Sequence, residues 1–348
     1  MTVKLGVVGT GWWATFNHIP TAAAHSDAEV VAICDLDAER VAEVGEKFGI
    51  EGRFSDLGAM LATGGLDGVM VATPHTAHAT VAIQCLEAGL HVLVEKPMAT
   101  SSADADAMVD AARRAGREIL IPCGWNFRPY TAAAAALVAK GRIGEARHVV
   151  CQMGSPLEDL FAGKPMLETV DHMYRPPPST WADPERAGGY GWGQMSHSLA
   201  WAFRVADVEP EAVFCMAGKS ATGVDYYDAA TVRLTNGGTM ALSGASTVPK
   251  HCEVQLDVRI FGTEGMLVFD AERARLELRR SDAEDELIAI PEGDHVYDGT
   301  LPVPRFIEIC AGTGAANDAD ATNGARVVHT LDAMYRSMAS GQTEAVRA

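Results

Sequence analysis

The chain has 348 residues, 48% of them hydrophobic and 21% charged, with a formal charge of -18. That charge excludes nucleic acid and anionic membrane surfaces as partners, because both are bound through clustered Lys and Arg. The length exceeds one ordinary core, and at roughly 100–200 residues per domain two domains are expected.

The first half alternates short apolar runs, at residues 4–8, 30–34, 68–72, 91–94 and 119–122, with helical patterns over 37–48, 78–88 and 103–115. Each run suits a strand buried on both faces, so a doubly wound parallel sheet with crossover helices is expected over residues 1–123. Gly9-Thr10-Gly11-Trp12-Trp13-Ala14 follows the first run and opens a helix, the G-x-G-x-x-G/A spacing of a dinucleotide site. Gly9 allows the tight turn, Gly11 lets a pyrophosphate approach the backbone, and Ala14 permits close helix–strand packing. Asp35 ends the second run, where a carboxylate can accept hydrogen bonds from a ribose hydroxyl. It favours NAD, while Arg40 one turn on leaves NADP open.

Beyond residue 123 the texture changes. Runs at 147–153, 229–234, 239–246 and 254–261 are longer, and Val254, Leu256, Val258 and Ile260 alternate with Gln255, Asp257 and Arg259. An α+β domain over residues 124–348 with a large, mostly antiparallel sheet is expected, with a hairpin at Asn236-Gly237-Gly238. The segment 175–184 is rich in proline and reads as a loop over a site. Val327, Val328, Leu331, Met334, Tyr335 and Met338 form one stripe of a closing helix at about 322–339. Seven single cysteines without a C-x-x-C pair, and no basic leader before Val3, point to reduced thiols and a cytoplasmic protein. His75, His78 and His91 form no tetrahedral ligand spacing, so no metal is expected.

The blocks Ala72-Thr73-Pro74-His75-Thr76-Ala77-His78 and Glu87-Ala88-Gly89 through Val94-Glu95-Lys96-Pro97 resemble the Gfo/Idh/MocA family of oxidoreductases. The likeness continues through Trp125-Asn126-Phe127-Arg128, Phe261-Gly262-Thr263-Glu264-Gly265 and Tyr335-Arg336-Ser337, nearly the whole chain. It implies a Rossmann domain followed by a substrate domain that often builds dimers or tetramers. Cofactor contacts are then expected from Gly9, Thr10, Gly11, Trp12, Trp13, Asp35, Arg40, Thr73, Pro74, His78, Glu95 and Lys96. The resemblance also places Lys96 beside the nicotinamide and the substrate hydroxyl and suggests a cis Lys96–Pro97 bond. An amine within reach of an alcohol can take its proton, and burial tunes a lysine for that task.

The segment from Gly188 to His197 resembles the family's G-G-G-x-x-x-D-x-G-x-H motif, with His197 at the histidine. The aspartate position holds Gly193 and the following glycine position holds Met195, so the usual carboxylate is absent. His197 can still exchange protons, with Asp171 or His172 as candidate stand-ins. Trp125, Asn126, Arg128, Trp192 and Gln194 are further candidates for substrate contact, with Trp181 and Tyr190 beside them. The expected function is NAD(P)-dependent hydride transfer at a secondary hydroxyl of a sugar, glycoside or cyclitol, with Lys96 and His197 as acid/base groups. The alternatives are a non-sugar carbonyl or dihydrodiol substrate, or a regulatory NAD-binding protein without chemistry.

Overall fold

The computed structural model describes residues 2–346, and among them the strands fall into two sheets. The first contains β1 (Val3–Val8), β2 (Ala28–Cys34), β3 (Gly52–Phe54), β4 (Gly68–Val71), β5 (His91–Val94) and β6 (Ile119–Leu120). All pair in parallel in the order β3-β2-β1-β4-β5-β6. The order reverses between β1 and β4, which opens a crevice beyond the carboxyl ends of the strands. Local chemistry sets the helices between them. Asp37 caps the helix Ala38–Phe48 by accepting from the Arg40 backbone N–H, and Gly49 ends it in the left-handed conformation. Ser101 and Gly116 bracket Ser102–Ala115 in the same way.

The second sheet runs β14-β13-β12-β11-β7-β10-β9-β8-β15. Its strands are β7 (Ala146–Gly154), β8 (Pro210–Lys219), β9 (Asp225–Leu234), β10 (Thr239–Ala245), β11 (Gln255–Gly262), β12 (Gly265–Asp270), β13 (Arg275–Arg280), β14 (Glu286–Leu287) and β15 (Glu344–Ala345). Neighbours are antiparallel except β7 and β10. The period-two pattern of β11 appears as buried Leu256, Val258 and Ile260 against exposed or half-buried Asp257 and Arg259. The helices Ser196–Ala206 and Ala321–Ser340 cover one face, where Trp201 stacks on Phe269 with centroids 4.5 Å apart. The other face is open and carries exposed Phe214, Met216 and Tyr227.

Sequence reading passed over β3, β8, β12, β13, β14 and β15. β3 has only three residues. In β13, Arg275, Glu277 and Arg279 pair with one another on the open face, so charge masks the alternation of Leu276 and Leu278. One late helix, Pro302–Cys310, buries Val303, Phe306 and Ile307 in the core of the first sheet, although it follows residue 123.

Candidate active site

At the end of β1, Gly9 has φ +86°, and a Cβ there would lie 2.6 Å from the Ala72 carbonyl carbon and oxygen, so the turn requires glycine. A Cβ on Gly11 would meet nothing within 4 Å, which leaves its backbone open to a ligand. Asp35 accepts from the Thr10 N–H at 2.8 Å and the Thr10 hydroxyl at 3.2 Å, while its other oxygen takes the Asp37 N–H. Arg40 sits 3.6 Å from Asp35 and 3.4 Å from Asp37, with its guanidinium over the Tyr174 ring. The Thr73 hydroxyl is buried without a partner among the described residues, an arrangement that suits a bound polar group. The His78 ring lies between the carbonyls of Thr73 and Pro97, at 2.9 and 2.7 Å, and ties the loop after β4 to the loop after β5.

β5 delivers Glu95 and Lys96 to the same edge, and the Lys96–Pro97 bond is cis. One Glu95 oxygen lies 3.0 Å from Nε2 of buried His18, and the other accepts the Lys96 N–H. Burial works against ionisation of Glu95, but the His18 hydrogen bond and the nearby charges outweigh it and hold the carboxyl below its usual range. The Lys96 ammonium donates to the Gly193 carbonyl at 2.6 Å and lies 4.9 Å from the centroid of the Trp181 ring. Its burial lowers the pKa, with Glu95 pulling the other way. Burial and the Lys96 charge hold His197 well below 6.5, and its Nδ1 has no hydrogen-bond partner among the described residues.

These two ends belong to one cavity of about 590 Å³. It runs from Gly9, Gly11, Trp12, Trp13, Asp35 and Arg40, past Thr73, Pro74 and His78, to Glu95, Lys96, Trp125, Gln194 and His197. The segment 175–184 does arch over it, contributing Pro177, Thr180 and Trp181.

Five residues expected at the substrate end do not line the cavity. Trp192 is buried and stacked on Tyr335, with centroids 5.0 Å apart and planes 6° from parallel. The Asn126 amide donates to the carbonyls of Ala200 and Asp318 and so ties loops together. Arg128 is held by Asp294 at 2.8 Å. Asp171 is exposed, and His172 accepts the Trp12 indole N–H at 2.8 Å while stacking on Phe16. Neither stands in for the missing carboxylate. A Cβ at Gly193 would lie 3.0 Å from the Phe161 ring and 3.2 Å from Trp181, so aromatic rings fill the space an aspartate there would need.

Several wall residues gave no signal in the sequence. Tyr297 comes from an irregular loop, yet its ring packs 4.9 Å from that of His197. Met153 and Val254 fall in strand candidates, and Leu157 and Leu160 in no motif.

A strand-order switch point, a glycine turn at its mouth and a half-buried lysine on its floor are the features of a nucleotide-linked oxidoreductase. Residues 3–121 match the oxidoreductase family with an NAD-binding Rossmann fold, and residues 131–268 match the GFO/IDH/MocA C-terminal domain. The chain belongs to the Gfo/Idh/MocA family and is an NAD(P)-dependent dehydrogenase acting on CH–OH groups. It is 28% identical to D-apiose dehydrogenase of Paraburkholderia graminis, over 98% of this chain and 88% of that protein. It is 26% identical to the NADP-dependent scyllo-inositol 2-dehydrogenase of Bacillus subtilis, over 83% of each. The crystal structure of the WlbA dehydrogenase from Bordetella pertussis, in complex with NADH and UDP-GlcNAcA, has the same fold: TM-score 0.79, 22% identity and 100% of each chain covered. No helix among the described residues is long and apolar enough to cross a membrane.

Proposed function

We propose that this dehydrogenase oxidises a secondary hydroxyl of a sugar, glycoside or cyclitol, with Lys96 and His197 as its acid/base pair. The observation that carries the reading is Lys96 Nζ, held 2.6 Å from the Gly193 carbonyl on the floor of the cavity with His197 in the same wall. The Gly9–Gly11 turn and the helix start behind it hold a dinucleotide pyrophosphate, and Asp35 takes a ribose hydroxyl. When bound, the nicotinamide supplies the acceptor for the substrate hydride.

The protein manages the proton. Burial favours the neutral amine of Lys96, and the Gly193 carbonyl fixes one N–H so that the lone pair is aimed elsewhere. An alcohol proton captured at Nζ makes an ammonium, which the Glu95 carboxylate stabilises through space. Neutral His197 offers a second acceptor for the same hydroxyl. Reduction of a keto group uses these groups in reverse. NAD is the preferred cofactor because Asp35 repels a 2′-phosphate, although Arg40 lies beside it.

A division into residues 1–123 and 124–348 remains our reading of the domains. The open face of the second sheet supports a homodimer or homotetramer, and the scattered single cysteines support a cytoplasmic location. The apolar second-domain wall favours one other substrate, a cyclic dihydrodiol. NADH formation with NAD and a panel of pyranoses, glycosides, inositols and cyclic diols tests the assignment. Turnover of a hydroxylated sugar ring or cyclitol supports it, and turnover confined to non-sugar compounds rejects it.

A further inference from the structure

Among the described residues that line the cavity, those beyond residue 123 include no Asp, Glu, Lys or Arg. Of the described basic residues in the cavity, Arg40 lies beside Asp35 at the other end and Lys96 has its amine on the Gly193 carbonyl, with burial disfavouring its charge. A carboxylate or phosphate on the substrate would therefore leave water without a compensating partner.

The same wall is divided by polarity. Gln194 follows the residue whose carbonyl holds Lys96, and Thr180 precedes Trp181, whose ring the Lys96 amine faces, so both polar residues enter the cavity from segments that touch the lysine. Two of the aromatic side chains have their polar atoms turned away: the Trp125 indole donates to the His295 carbonyl and the Tyr297 hydroxyl to that of Pro122. Met153, Leu157, Leu160 and Val254 offer nothing but hydrocarbon or thioether surface. The absent aspartate belongs to this pattern, because Phe161 and Trp181 occupy its space. A hydroxyl buried against the aliphatic surface loses its bonds to water and gains none, whereas an apolar group there is favoured. Few polar groups and a largely apolar wall match an amphiphilic molecule and fit a freely polyhydroxylated sugar poorly.

We propose that the substrate is an uncharged glycoside with an apolar aglycone. The sugar ring lies along Lys96 and Gln194, and the aglycone rests on Met153, Leu157, Leu160 and Val254. The proposal rests on the dehydrogenase reading above and specifies its substrate class.

Calorimetric titration of the protein saturated with NADH tests it without relying on turnover. Phenyl and methyl glycosides are compared within each of several hexopyranoses, together with phenyl glucuronide and a cyclohexanediol. The phenyl glycoside of at least one sugar is expected to bind about tenfold tighter than its methyl counterpart, and the glucuronide weaker than phenyl glucoside. Leu157→Gln, a change at a half-buried position, is expected to shrink the phenyl preference several-fold. Equal or tighter binding of every methyl glycoside, tighter binding of the glucuronide, or the diol outcompeting all glycosides overturns the proposal. So does a phenyl preference that Leu157→Gln leaves intact. Preferential binding without NADH formation from NAD would instead reject the proposed oxidation of a sugar hydroxyl and leave the ligand class standing.

Discussion

The ammonium of Lys96 is bonded at 2.6 Å to the carbonyl of Gly193, the residue that stands where the related motif carries its aspartate. A backbone dipole thus meets the lysine where a carboxylate is absent. It fixes the direction of the amine without adding the full negative charge that would raise the lysine pKa.

The aromatic rings around its Cα make Gly193 sensitive to the smallest change. Gly193→Ala would place a methyl 3.0 Å from Phe161, in a packed wall. A destabilisation of about 1–3 kcal/mol is expected, with a lower Tm, a lower kcat and an unchanged Kd for NADH. Thermal unfolding and steady-state kinetics check it. Unchanged Tm and kcat would mean that the aromatic wall yields freely.

The pH profile separates the two acid/base groups. His197 lies well below 6.5, so it stays neutral through neutral pH and contributes no limb there. Burial disfavours the Lys96 ammonium, so the amine fraction grows as pH rises and does so below the usual lysine value of 10.5. The rate of alcohol oxidation is expected to climb with pH along that single limb. A limb centred near 6.5 that disappears in His197→Asn would contradict this assignment.

Acid should weaken the fold through His75, whose pKa burial lowers to about 3. Between 6.5 and about 3 the unfolded chain binds a proton that the folded chain refuses. The stabilising contribution is complete above 6.5 and is lost as pH falls, by at most about 1.4 kcal/mol per pH unit. Urea midpoints at neutral and mildly acidic pH should therefore converge in His75→Gln relative to the parent. Parallel loss in both proteins would assign the effect to other groups.

Asp35 anchors the turn at Thr10 and restrains Arg40. Asp35→Ser should weaken NAD binding about tenfold and free Arg40 for a 2′-phosphate, raising the NADP-to-NAD ratio of kcat/KM by a similar factor. Initial rates with both cofactors check it, and an unchanged ratio would remove Asp35 from the discrimination.

What the sequence made legible was local. Gly9, Gly11 and Asp35 could be placed because a strand, a turn and a helix start within a few dozen residues carry the whole motif. Lys96 could be placed because β5 aims it at the sheet edge. The wall of the second domain depends on distant packing. Trp192 looked like a substrate platform until Tyr335, from the last helix, claimed its face. Arg128 reads as a candidate for substrate contact, and Asp294, from a remote loop, holds it in an ion pair instead. Tyr297 sits in a segment with neither period nor motif, and only the fold brings it against His197.

The most direct test of Lys96 as the proton-handling group is NADH formation by Lys96→Met, measured beside NADH binding to the same protein. A fall in kcat of about 10²–10⁴-fold with Kd for NADH within a few-fold of the parent is the expected result. Turnover within a few-fold of the parent would contradict it and move the proton to another group.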